Sequence, residues 1–151
     1  MAKQSPDALA DIMLVYEPNP ATSLTITRGD LHTLYIGNWL NDEVMNFYAQ
    51  LLQKNKFNYE NASKTVLDVD LIITIVHVGR NHWVCVVLER KSHTAVCYDP
   101  LLTNGCDCGV FALLVADCLS LGSSFADVHQ VHTSLLRARI LHRIMSMVLP
   151  V

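Results

Sequence analysis

The chain has 151 residues, 51% of them hydrophobic and 17% charged. That is apolar enough for a single domain with its own core, and too apolar for a disordered chain. Eleven Lys and Arg against 14 Asp and Glu leave a net charge of −3, which supplies no basic footprint for nucleic acid. The longest apolar stretches, Leu71–Val78 and Gly109–Leu121, are too short or too interrupted to span a bilayer. Five cysteines, with no secretory signal in the opening MAKQSPDALADIML, fit a reducing compartment.

In chain order, the first stretch through EPNPATS reads as an irregular loop, because two prolines and an asparagine fall together. Organised structure is expected from about residue 22 to 149. Asp30 is expected to cap a short helical turn beginning at Leu31. A longer helix follows Trp39, with Asn41 or Asp42 as N-cap and Val44, Phe47, Tyr48, Leu51 and Leu52 at helical spacing. Lys54 and Lys56 lie near its end, where the helix dipole favours cations. Polar residues around Asn58–Lys64 connect it to LIITIVHV (Leu71–Val78), a continuous apolar run expected to be a strand buried on both faces. Trp83–Leu88 and Thr94–Tyr98 are two further strands joined by the polar ERKSH. A helix from about Cys108 to Ser120 is apolar almost all round and belongs inside the fold. The last helix, about Ser134 to Val148, sets Leu135, Leu136, Ile140, Leu141, Ile144 and Val148 against Arg137, Arg139 and Arg143. It reads as an amphipathic cover with solvated arginines. The whole is an α+β domain with a mainly antiparallel sheet.

Cys108 stands out by position. At the first turn of a buried helix it faces unpaired backbone N–H groups and the positive end of the dipole, which favour a thiolate and would hold an oxyanion. Gly109 beside it permits close backbone approach by a substrate. A small buried cysteine with no chemistry is the competing reading. A nucleophilic cysteine also needs a base. If the strands on either side of ERKSH pair with Leu88 opposite His93, His82 stands opposite Asp99 on one face. There the carboxylate would fix the imidazole tautomer, as the third member of a triad does; an ordinary strand-end ion pair is the alternative. His77 reads as a hydrogen-bonded core residue, and His32, His93, His129, His132 and His142 as solvent-facing. Cys85 and Cys97 read as core. For zinc, Cys106, Cys108, Cys118, His129 and His132 supply ligand types, yet Cys108 and Cys118 would lie about 15 Å apart along one helix. No CxxC or HxxxH spacing supports a metal site.

Four segments taken in order resemble the SUMO-specific cysteine proteases, the sentrin-specific or ubiquitin-like-protein-processing peptidases of the papain-like superfamily. They are WLNDEVMNFYAQLL (Trp39–Leu52), NHWVCVVLE (Asn81–Glu89), CYDP (Cys97–Pro100) and NGCDCGVFALLVADCLS (Asn104–Ser120). TRGDLHTL and HQVHTSLLRARILHRI resemble that family's flanks, so the likeness runs over about residues 22 to 147. It implies a papain-like core with the nucleophile on a buried central helix. By motif it implies His82 as general base, Asp99 as its orienting carboxylate and Cys108 as nucleophile. Trp39 and Trp83 would sandwich a diglycine tail, and Asp42 would contact the ubiquitin-like body at the rim. The implied reaction is thiol-dependent hydrolysis after that diglycine, either from lysine or in precursor maturation. It needs no cofactor and no metal; the partner is a SUMO-like protein, not nucleic acid or membrane, and the setting is nuclear or cytoplasmic.

Two departures accompany the likeness. The family pattern implies a glutamine six residues before the nucleophile, completing the oxyanion hole, and that position is Leu102. It also implies several dozen residues between the catalytic Asp and Cys, where nine steps join Asp99 to Cys108. Nine extended residues reach about 30 Å, so a triad can still close. The connection ahead of LIITIV is also short. Three readings follow: a shortened active protease, an inactive relative that still binds a ubiquitin-like tail, or a chain that has lost a segment.

Overall fold

The computed structural model describes residues 6–56, 68–79, 82–100, 105–124 and 133–147. Its elements run α1 (Pro6–Leu9), β1 (Ile12–Asn19), β2 (Thr22–Thr27), α2 (Arg28–His32), α3 (Asp42–Lys56) and β3 (Leu71–Val78), followed by β4 (His82–Glu89), β5 (Thr94–Tyr98), α4 (Cys108–Leu121) and α5 (Thr133–Ser146).

The stretch expected as a loop is largely an antiparallel hairpin, so regular structure starts upstream of residue 22. β1 pairs with β2 from Ile12 opposite Thr27 to Asn19 opposite Thr22. Pro20 and Ala21 make the turn, and Pro18 falls where the register shifts between Tyr16 and Asn19, so its missing N–H interrupts no regular ladder. Tyr16 and Ile26 turn inward. Thr27 then starts α2 through a capping box: its Oγ1 accepts from the Asp30 N–H at 3.2 Å, and its own N–H donates to Asp30 Oδ2 at 2.7 Å. The cap is therefore Thr27, and Asp30 is the acid three residues inside the helix. For α3 the cap is Asn41, whose Oδ1 accepts from the Val44 N–H at 3.2 Å. Val44, Met45, Phe47, Tyr48 and Leu51 form its buried stripe.

β3, β4 and β5 make a separate antiparallel sheet with β4 in the middle. One face, carrying Ile73, Ile75, Trp83, Cys85, Val87 and Tyr98, joins the core against α4. On the other, Val76 (37%), Val78 (47%) and Leu88 (41%) are exposed, so β3 is not buried on both faces. An unbroken apolar run reads the same whether one or both sides are covered, which is why sequence alone favoured full burial.

α4 is buried as expected, with Val110, Ala112, Leu113, Leu114 and Ala116 nearly inaccessible. Gly122, at φ 65°, ends it in the left-handed region while the Ser123 N–H closes on the Cys118 carbonyl at 2.9 Å. α5 departs from expectation. Arg137 and Arg143 are buried with Ile140 and Ile144, and Arg139 alone of the three stands half in water. The reason is ionic: α4 carries two buried carboxylates, Asp107 at its N-cap and Asp117 in its interior, and they take Arg137 and Arg143. Among the described residues no helix is long and apolar enough to cross a membrane.

Candidate active site

Three segments meet at the start of α4. Cys108 is its first residue and is 5% exposed. A methyl group on Gly109 would lie 3.1 Å from Leu40 Cβ and 3.2 Å from Trp83 Cδ1, so the helix backbone rests directly on Leu40 and the indole. Trp83 in turn donates from Nε1 to the Leu40 carbonyl at 3.1 Å. The segment bearing Trp39 and the strand bearing His82 are thus pinned together beside Cys108.

His82 and Asp99 are in contact, Nε2 to Oδ1 at 2.6 Å. Their strands pair with Leu88 opposite Ala95 and Glu89 opposite Thr94, two residues off the expected register. The turn falls one residue later than expected and His93 takes a left-handed φ of 55° to close it. A shift of two keeps every side chain on its face, so the pair survives as a diagonal neighbour. An ionised carboxylate can only accept, so in this contact Nε2–H is the donor and Asp99 the acceptor.

The two tryptophans differ. Trp39 is 41% exposed, whereas Trp83 is 8% exposed and lies tilted by 31° against the His77 ring, centroid to centroid 4.5 Å. His77 is therefore an exposed residue flanking Trp83 and not a core histidine. Asp42, the first residue of α3, is exposed. Cys85 is fully buried, and that burial, with Cys97 close by, pushes its thiol up to about 11. Cys97 itself is exposed on β5, contrary to its expected place in the core. Among the described residues no cluster of His, Cys, Asp or Glu could hold a metal ion. Leu102, Asn104, His129 and His132 lie outside the described residues.

Asp107 and Arg137 were not singled out by the sequence. Their side chains are 3% and 2% exposed and form an ion pair immediately before Cys108. The available signal was an aspartate at each end of a nearly all-apolar stretch, since a buried carboxylate demands a cation.

A model of the C-terminal catalytic domain of the Ulp1 protease family matches residues 55–104. Ubiquitin-like-specific protease 1 of Saccharomyces cerevisiae is 29% identical over 115 residues, covering 61% of this chain and 18% of that protein. Human sentrin-specific protease 2 is 60% identical over 37 residues, covering 24% of this chain and 6% of that protein. The chain thus spans under a fifth of the length of either relative. Among solved structures, the C-terminal Ulp1 protease domain in complex with Smt3, the yeast orthologue of SUMO, superposes with a TM-score of 0.69 at 18% identity. That match covers 93% of this chain and 91% of the other, and it shows a shared α+β fold.

Proposed function

We propose that the chain is a member of the Ulp1 protease family, whose catalytic-domain model matches residues 55–104, and that it is a thiol protease domain cleaving after the C-terminal diglycine of a SUMO-like protein, in the nucleus or cytoplasm. Cys108 is the nucleophile, His82 the acid–base group and Asp99 the carboxylate that orients it. Trp39 and Trp83 flank the diglycine tail, and Asp42 meets the body of the ubiquitin-like protein.

Cys108 passes its thiol proton to Nδ1 of His82, and the thiolate attacks the carbonyl carbon of the last glycine, whose oxygen takes up the negative charge facing the N–H groups at the start of α4. Collapse breaks the C–N bond as the amine takes a proton from Nδ1 of His82. Water then attacks the thioester, its proton passing to His82, and releases the glycine carboxylate and the thiol. The observation that most supports this reading is the His82–Asp99 contact on the strand whose next residue, Trp83, packs against Gly109 beside Cys108.

A second reading, a non-catalytic module that binds the same tail, is favoured by Leu102, which has no donor for an oxyanion. A SUMO probe ending in diglycine and an electrophile separates the two. Covalent labelling lost in Cys108→Ala and weakened in His82→Ala is the expected result, and tight binding without an adduct would sink the enzyme reading. Leu102→Gln is expected to raise turnover by up to about 10²–10³, the usual worth of one oxyanion donor.

A further inference from the structure

Asp107 is the N-cap of α4, yet its side chain makes no capping bond. An aspartate in that position ordinarily accepts from the N–H groups of the first turn. Here Oδ1 instead receives Nε and Nη2 of Arg137 at 3.0 and 2.6 Å. The same guanidinium donates to four carbonyls. Nη1 reaches Thr33 at 3.1 Å and Tyr35 at 3.3 Å, while Nη2 reaches Asn38 at 2.8 Å and Cys106 at 3.0 Å. Three of those carbonyls belong to the loop leading into Trp39, and the fourth lies two residues before Cys108. One buried cation on α5 therefore holds both sides of the site.

We propose that Arg137 is a positioning residue: it draws the Asp107 carboxylate away from the amide end of α4 and ties that end to the loop carrying Trp39. The physical reason is competition. A carboxylate swung onto the first turn would occupy the N–H groups that an oxyanion needs and set a negative charge beside the thiolate. The planar five-donor fork suits this task, because a lysine can oppose the carboxylate but cannot also span carbonyls in several directions. The consequence for turnover rests on Cys108 being the nucleophile; the clamp does not.

The test is alkylation of the full chain by iodoacetamide at neutral pH, read cysteine by cysteine by mass spectrometry, with acrylamide quenching of Trp39. Exposed Cys97 is the reference and buried Cys85 reports loosening of the whole fold. In Arg137→Gln, Cys108 is expected to react about tenfold more slowly, as thiolate chemistry follows local charge, with Cys85 still protected and Trp39 more quenchable. Adding Asp107→Ala should return Cys108 to within about threefold of the original rate, because the competing carboxylate is gone, while Trp39 stays quenchable. An unchanged Cys108 rate, no recovery in the double variant, or Cys85 opening in step would overturn the proposal. Should Arg137→Gln not fold, Arg137→Lys decides: raised quenching with Cys108 near its original rate supports the clamp, and unchanged quenching refutes it. Failure of the diglycine probe to label the unaltered protein would remove the proposed function and leave these outcomes standing.

Discussion

The His82–Asp99 and Arg137–Asp107 pairs live in opposite surroundings. His82 and Asp99 have side chains 23% and 46% exposed, whereas Arg137 and Asp107 are 2% and 3% exposed. Water screens the first pair, so it adds little to stability. The second is sealed from water, so breaking it leaves an ion stranded. Asp117 repeats the sealed arrangement farther along α4, where its Oδ2 accepts from Arg143, which also bonds the Tyr48 hydroxyl. The chain thus places one pair in partial contact with water and uses buried pairs to hold α4 in place.

The contrast breaks hardest at Asp117. Removing it as Asp117→Ala strands the buried Arg143 guanidinium and is expected to cost about 3–5 kcal/mol, measured by urea unfolding. Asp99→Asn should invert that pattern. Its urea stability is expected to stay within about 1 kcal/mol of the original. Labelling by the diglycine probe should meanwhile fall by about 10² or more, since an amide cannot stabilise the imidazolium; equal losses in both assays would erase the difference between the exposed and the buried pair.

The smallest effect belongs to Tyr48. Burial, followed by the Asp117 charge, raises its hydroxyl from the ordinary 10 to about 12, with Arg143 pulling the other way. Folding thus favours the protonated phenol, and that stabilisation is complete below pH 10 and lost as pH climbs through 12. Tyr48→Phe should cost about 1 kcal/mol near neutrality and flatten the alkaline loss over that window. The earlier loss from Cys85, between its ordinary 9.0 and about 11, should remain. Urea midpoints followed across alkaline pH test this.

What was legible in the sequence followed from periodicity and local chemistry. The all-apolar α4 could only be internal, Asn41 could be read as a cap, and the spacing around ERKSH placed His82 and Asp99 on one face. The exact pairing was not legible, because it depended on whether His93 would enter a left-handed conformation, and the even shift preserved the contact. The hairpin β1–β2 was hidden behind prolines that sit at its tip and irregular end. Arg137 and Arg143 were misread for a deeper reason: an amphipathic pattern records which residues are polar, not whether a carboxylate lies across the interface. Asp107 is 30 positions from Arg137, and only the folded chain brings them together. Exposure of Val76 and Val78 belongs to the same class, since covering a sheet face is a property of other segments.

Gly109 has a consequence of another kind. The indole it touches is rigid and anchored to the Leu40 carbonyl, so its neighbours have little freedom to retreat by the few tenths of an ångström that a methyl group would require. Every amino-acid replacement at a glycine adds at least that methyl. The thickness of one carbon atom therefore sets the evolutionary latitude of this corner: any residue but glycine at position 109 disturbs the spacing between α4, Leu40 and Trp83.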